Sequence, residues 1–271
     1  MATDRKNEGL EWQRGVWNRI ADIYQREIDA RFVPVVENVI ARGALKPGQS
    51  VLDLGTGTGA VAAQAASLVG MQGHVVAVDL SPAMLAAAQQ RFMAQNLSQI
   101  TVREGRAEDI PAEDHAFDVV LASLSFMYLL DRAAAARELA RVLRPGGRLV
   151  AAVWAGADEC DIVLFQQTAG QFAGTPPVPG VGPGSLADPS PFLTLLADHG
   201  ITAYVERETL GFEFADFTSA WDALAGVTTA HLASERQQEA KNAVKAVMYP
   251  DGEGPRRFRN VTQFIMGLRD R

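Results

Sequence analysis

The sequence predicts a doubly wound α/β fold built on a mostly parallel sheet. Three observations carry this. Short apolar runs alternate with helical segments from Val51 to Trp154, a glycine-rich turn follows the first run, and an acid ends the second.

Each element is read in order. Residues 10–41 are helical, with Trp12, Val16, Ile20 and Ile23, then Val35, Val36, Val39 and Ile40, at helical spacing. A Pro-Gly turn within 44–48 ends the pattern. Val51–Leu54 is a short strand, Gly55–Gly59 a turn, and the Ala-rich run 60–69 a helix. HVVAV at 74–78 is a second strand, ending at Asp79. Ser81 is placed as an N-cap and Pro82 as first helical residue of a helix to about Gln95. Strands follow at 100–103 and 117–122, then a helix at 132–143 stopped by Pro145-Gly146-Gly147, then a strand at 148–154. Beyond Trp154 the rhythm fades. Residues 174–191 read as a Pro/Gly loop, 192–199 as helix, 201–214 as one strand or two, 217–248 as helix and 258–268 as a closing strand. Nothing resembles a long linker between two cores, so one domain is expected over residues 1–271.

Composition narrows the function. The chain has 271 residues, 48 % hydrophobic and 21 % charged, enough for a large core without staples. One cysteine, Cys160, excludes an intramolecular disulfide and a Cys-based zinc site. With 25 Lys and Arg against 32 Asp and Glu, the net charge is −7, which argues against nucleic acid as the main partner. No run approaches ~20 uninterrupted apolar residues, so no membrane span is expected. The polar start MATDRKNEGLEWQRG lacks the apolar region of a secretion signal, which makes a cytoplasmic location the expectation. Oligomeric state, monomer or homodimer, stays open.

The chemistry concentrates in Val51-Leu52-Asp53-Leu54-Gly55-Thr56-Gly57-Thr58-Gly59. Glycines at a strand-to-helix turn take unusual φ angles and let a ligand approach the backbone. Gly55-x-Gly57-x-x-Ala60 fits a dinucleotide fingerprint loosely; Asp-x-Gly-x-Gly-x-Gly fits better. Asp53 separates the readings. A carboxylate there repels a pyrophosphate and attracts an ammonium, and S-adenosylmethionine carries an ammonium and a sulfonium. Asp79, at the end of the second strand, suits the ribose hydroxyls of either cofactor.

At these residues the sequence resembles the class I S-adenosylmethionine-dependent methyltransferases, most of all the bacterial small-molecule branch related to the ubiquinone/menaquinone-biosynthesis enzymes. The matching blocks are Trp17-x-x-x-Ala21-x-x-Tyr24, VLDLGTGTG at 51–59, VDLSPAML at 78–85, EGRAEDIP at 104–111, FDVVLASLSFMYLLD at 117–131 and RELARVLRPGGRLVAAVW at 137–154. The resemblance implies a Rossmann-like, seven-stranded sheet with an antiparallel last strand and a helical cover. It also implies an N-terminal helical lid over 1–45, a cofactor-binding core over 46–154, and an acceptor-side cover with closing strands over 155–271.

Roles follow for the matched positions. Asp53, Gly55, Thr56, Gly57 and Gly59 would border the methionine portion and Asp79 would take the ribose hydroxyls. Leu80 and Met84 would flank the adenine, with Arg106, Ala107 and Glu108 at its edge. Many relatives have Asp at the place of Arg106; Arg cannot accept from the adenine amino group, which leaves a backbone contact through Ala107. Ser123 and Leu124 would line the methionine side, and Tyr24 would reach the cofactor carboxylate. Trp17, Phe126, Met127, Tyr128 and Trp154 are the candidate acceptor wall, although such residues also serve as core.

Other signals are weak or missing. The Pro-Pro motif of amino-methyltransferases is absent after the fourth strand, where the chain reads Ala122-Ser123-Leu124-Ser125-Phe126. No acid cluster or His pair at ligand spacing suggests a metal, so none is expected. Of the four histidines only His231 falls in the expected cover. No catalytic base is identified, and none is required if the acceptor is a thiolate, phenolate or free amine. The expected reaction is in-line methyl transfer from S-adenosylmethionine to a small-molecule acceptor, releasing S-adenosylhomocysteine. The alternatives are an NAD-dependent oxidoreductase and a non-catalytic S-adenosylmethionine-binding protein.

Overall fold

The computed structural model describes residues 2–174 and 178–271. Its seven strands are β1 (Ser50–Leu54), β2 (His74–Asp79), β3 (Ile100–Glu104), β4 (Phe117–Ser123), β5 (Leu143–Trp154), β6 (Ile201–Phe214) and β7 (Arg256–Arg269). They form one sheet in the order β3-β2-β1-β4-β5-β7-β6. The pairs among β1 to β5 are parallel, and β7 lies antiparallel to both β5 and β6. This is the doubly wound sheet with an antiparallel last strand that the sequence predicts. β1, the inner part of β2 and most of β4 are buried without polar alternation, as parallel strands covered on both faces must be.

The helices are α1 (Ala2–Ile23), α2 (Asp29–Gly43), α3 (Ala60–Val69), α4 (Pro82–Ala94), α5 (Arg132–Val142), α6 (Asp161–Gly170), α7 (Ser190–Asp198), α8 (Phe217–Leu224), α9 (Gly226–Thr229) and α10 (Ser234–Met248). The Ser81 hydroxyl accepts from the Met84 N–H at 3.2 Å, with Pro82 opening α4, as the cap signal predicts.

Four local expectations needed correction. The helix expected over 10–41 is interrupted by a π-helical turn at Tyr24–Ile28, and α1 begins well before residue 10. Helix α6 was not foreseen. The single helix expected over 217–248 is three. Residues 144–147 do not separate helix from strand; they bulge out of β5, whose pairing with β4 jumps from Phe117–Leu143 to Val119–Arg148. Part of the loop expected over 174–191, residues 175–177, lies outside the described residues.

The strand order reverses direction between β1 and β4. In open parallel sheets a ligand crevice opens there, outside the carboxyl ends of the strands. Among the described residues no helix is long and apolar enough to cross a membrane.

Candidate active site

The glycine turn leaves β1 with three left-handed residues, Gly55, Gly57 and Gly59, at φ 75°, 53° and 85°. A Cβ on Gly55 would stand 2.4 Å from the Ser125 Cβ, so glycine is what lets the β1 turn lie against the end of β4. Ser125 Oγ fastens that contact by donating to the Leu54 carbonyl at 2.8 Å. A Cβ on Gly57 would meet nothing within 4 Å, because the turn there borders open space.

Two carboxylates organise the turn from opposite sides. Asp79 accepts the Gly57 N–H at 2.8 Å and the Ser81 N–H at 2.9 Å, one on each oxygen. Burial pushes its carboxyl above the usual range, and the N–H groups of Ser81, Gly57 and Leu80 pull it back. Asp53 lies beneath the turn at 1 % exposure. Its Oδ2 accepts from Thr56 Oγ1 at 2.6 Å and the Ala62 N–H at 2.9 Å, while Oδ1 is buried without a partner among the described residues. Burial raises the Asp53 carboxyl to about 7, against the pull of those two donors.

A cleft of about 810 Å³ opens above this turn. Its floor is Leu54, Gly55, Gly57, Asp79, Leu80 and Met84, one wall is Gly105–Glu108, and the other is Ser123–Phe126 with Tyr128, Leu129 and Leu130. Helix α1 roofs it with Leu10, Gln13 and Trp17, and the π turn adds Tyr24. The roof is pinned in place. Asn18 Oδ1 accepts from Ser81 Oγ at 2.7 Å, Gln13 Nε2 donates to the Tyr128 carbonyl at 2.6 Å, and Arg14 pairs with Glu104. Glu108 joins the walls by accepting the N–H groups of Leu130 and Asp131 at 2.8 and 3.2 Å.

A π turn widens the helix by one residue and is frequent at functional sites. The one here is anchored to the glycine turn. Asp29, the first residue of α2, accepts from Thr58 Oγ1 at 2.6 Å and pairs with Arg91 of α4. Arg91 Nε also donates to the Thr58 carbonyl at 2.8 Å.

A second cavity, about 570 Å³, adjoins the first. The two share Trp17, Tyr24, Leu124 and Tyr128. Leu124 at this neck holds φ 58°, a left-handed angle strained for leucine, and its N–H donates to the Ala152 carbonyl at 2.9 Å. Rings line the second cavity in edge-on contact: Trp17 to Tyr128 at 4.9 Å, Trp17 to Tyr24 at 6.3 Å, Tyr24 to Phe32 at 6.2 Å and Phe32 to Trp154 at 5.7 Å. Pro183, in the described part of the Pro/Gly loop, closes one end. That loop is tied down by Gly182 N–H and Ser185 Oγ, both donating to the Met127 carbonyl at 2.8 Å.

Of the residues expected to hold the cofactor, Tyr24, Gly55, Gly57, Asp79, Leu80, Met84, Arg106, Ala107, Glu108, Ser123 and Leu124 line the first cleft. Asp53, Thr56 and Gly59 are not among its lining residues. Of the expected acceptor wall, Trp17 and Tyr128 face both cavities, Met127 and Trp154 only the second, and Phe126 only the first. His231 is exposed and lines neither cavity. Cys160 is buried with its thiol pushed up to about 12 by burial, and Sγ lies 3.3 Å from Asn260 Oδ1. Among the described residues no three His, Cys, Asp or Glu are grouped to hold a metal ion. Sequence reasoning missed Gln13, Asn18, Asp29, Phe32, Arg91 and Gln166. None is a matched residue of a motif, and each acts through a partner far along the chain.

Residues 51–147 match the model of a methyltransferase domain family. Over 106 residues the chain is 38 % identical to the ubiquinone/menaquinone biosynthesis C-methyltransferase UbiE of Vibrio campbellii, covering 39 % of this chain and 41 % of that one. Over 134 residues it is 37 % identical to the nocamycin O-methyltransferase of Saccharothrix syringae, covering 49 % and 48 %. The chain thus spans under half the length of these curated relatives. The YcgJ protein of Bacillus subtilis shares the fold, with a TM-score of 0.65 at 17 % identity over 88 % of this chain and 98 % of that one. Residues 51–147 therefore match a methyltransferase domain and resemble the core of the ubiquinone/menaquinone biosynthesis C-methyltransferases.

Proposed function

We propose that the protein transfers a methyl group from S-adenosylmethionine to a nucleophilic atom of a small-molecule acceptor by in-line displacement, releasing S-adenosylhomocysteine. The observation that carries this is the pair of adjoining cavities. A cleft with carboxylates opens at the sheet's switch point and meets an aromatic second cavity at Leu124.

The residues of the first cleft fit the cofactor. Asp79 keeps free lone pairs after accepting two N–H groups, which suits a ribose diol. Leu80, Met84 and Ala107 offer an apolar slot beside it for adenine, with Arg106 and Glu108 at its edge. The open space at Gly57 suits a chain passing close to the backbone. Asp53 buttresses the turn from beneath through Thr56 and the Ala62 N–H, and the turn it holds, Thr56 and Gly59 included, would border the methionine portion. Ser123 and Leu124 border the path to the acceptor, and Tyr24 has a free hydroxyl for the cofactor carboxylate or the acceptor. When bound, the cofactor supplies an electrophilic methyl group on a cationic sulfur with a neutral leaving group. The chain then has to align, hold and exclude water, which the pinned roof of α1 favours. On this reading residues 1–45 are a lid, 46–154 the cofactor core and 155–271 the acceptor-side cover of one catalytic unit.

The test is S-adenosylhomocysteine release with acceptors pooled by nucleophile: phenols and enols, thiols, amines, carboxylates and alkene carbons. Turnover with one pool is expected and names the accepting atom. Cofactor binding with silence from every pool would favour a non-catalytic binder. Binding of NAD in its place would favour the oxidoreductase.

A further inference from the structure

The second cavity has an apolar body and a polar neck. Its body is built by Phe32, Trp154, Leu224 and Val227 with neighbouring aliphatic groups, and none of its lining residues is Asp, Glu, His, Lys or Arg. Gln166 is its one amide, and that amide is already used: Nε2 donates to the Leu224 carbonyl at 2.6 Å and Oε1 accepts from Thr228. At the neck stand Tyr24 and Tyr128. Neither phenol hydroxyl bonds to any other described residue, although both rings are held in the aromatic array. Two donors without acceptors among the described residues therefore belong to residues that line both cavities. Among the described residues no Asp, Glu, His, Lys or Arg lines the second cavity. The carboxylates acting on Tyr24, Asp29 and Asp79, accept from the glycine turn, and Asp79 belongs to the cofactor side on the methyl-transfer reading.

We propose that the second cavity binds the methyl acceptor, and that this acceptor is an apolar, ring-bearing molecule whose nucleophile is an acidic enol already ionised at neutral pH. The inference rests on the methyl-transfer reading and deepens it. Apolar walls without charge select against ammonium or carboxylate groups on the body of the acceptor, since an unpaired charge buried there is costly. With no ionisable acid or base other than the two tyrosines among the described residues lining the second cavity, the site selects for a hydroxyl that has lost its proton to water beforehand. The two phenol hydroxyls then donate to the resulting oxyanion, and hydrogen bonds to a charged acceptor are the strong kind. The reaction balances: the enolate oxygen attacks the methyl carbon, the new O–CH3 bond forms as the C–S bond breaks, and that electron pair neutralises the sulfonium to the thioether of S-adenosylhomocysteine.

The test uses the whole protein at pH 7.5 with three probes. They are 2-phenyl-1,3-cyclohexanedione, ionised at that pH; 2-naphthol, a phenol with a pKa of about 10; and dopamine, a cation. Binding is read by tryptophan fluorescence with S-adenosylhomocysteine present, and turnover by O-methyl product. The enol is expected to bind tightest and to turn over at least tenfold faster than naphthol, with no dopamine product. Faster turnover of naphthol or dopamine would overturn the proposal while leaving methyl transfer intact. Tight enol binding with bound cofactor and no product from any acceptor would uphold the cavity's ligand class and overturn the transfer reading.

Two kinds of variant localise the effect. Ala223→Glu places a negative charge in the second cavity at a residue that does not line the first, and is expected to weaken enol binding at least tenfold with cofactor affinity unchanged. Tyr24→Phe and Tyr128→Phe keep the rings and remove the donors. Each is expected to weaken the ionised enol about threefold while sparing its neutral O-methyl ether. Equal loss for enol and ether would overturn the role of the hydroxyls.

Discussion

The two cavities meet at Leu124 but are made of different material. The first is shaped by backbone: a left-handed glycine turn held by the carboxylate of Asp79 and buttressed by Asp53. The second is shaped by side chains, drawn from α1, the π turn, α2, the end of β5, α6, α8, α9 and the Pro/Gly loop. A site made of turn geometry tolerates few substitutions, because each glycine is fixed by contacts or by φ. A site made of packed rings can change its occupant by exchanging one ring. On the proposed function the difference separates a fixed cofactor from an adaptable acceptor, and mutations test it.

The largest expected effect is at the turn. Gly55→Ala asks a Cβ to enter Ser125 at a left-handed φ of 75°, and is expected to destabilise the fold by about 3 kcal/mol in urea unfolding. Wild-type stability after this change would mean that the turn can shift, and that the backbone does not set the cleft.

Asp53→Asn comes next. An Asn oxygen can keep the bonds from Thr56 and Ala62, and its NH2 replaces the oxygen that has no partner. The folded carboxyl at about 7 lies above its unfolded value, so the native state holds its proton longer than the unfolded state. Wild-type stability therefore falls as pH rises through the window between the unfolded value and 7. The variant lacks this loss, so its advantage over wild type is expected to grow by about 2–3 kcal/mol from pH 5 to pH 8. A constant difference across that range would mean that Asp53 is ionised throughout in the fold.

Asp79→Ala is expected to weaken S-adenosylmethionine at least tenfold, about 1.4 kcal/mol, in a calorimetric titration. Unchanged affinity would remove the ribose from Asp79. The smallest effect distinguishes the two cavities. Tyr128→Ala is expected to raise the apparent KM of the acceptor about fivefold, about 1 kcal/mol, and to spare that of the cofactor. The reverse result would assign Tyr128 to the first cleft, which it also lines.

Legibility in the sequence follows the same division. The first cleft is written in contiguous blocks, because a turn and the acid facing it need fixed residues at fixed spacing. Gly55, Gly57 and Asp79 were readable for that reason, as were the strands β1 to β5 along the chain and the closing β7. Asp53 was readable as an acid, but its place beneath the turn was not, since spacing does not reveal which way a strand-end side chain faces. The second cavity was legible only in fragments. Phe32, Gln166 and Val227 come together through tertiary packing and carry no local signal. The π turn at Tyr24–Ile28 hides inside a helical pattern that continues on both sides of it. Helix α6 was missed because its apolar residues, buried on most sides, show little periodicity.

The most direct test is a calorimetric titration of S-adenosylmethionine into the wild-type protein, with Asp79→Ala alongside. One-to-one binding to the wild type and at least tenfold weaker binding to the variant are expected. No binding to the wild type, or equal binding to both, would contradict the assignment of the glycine-turn cleft to the cofactor.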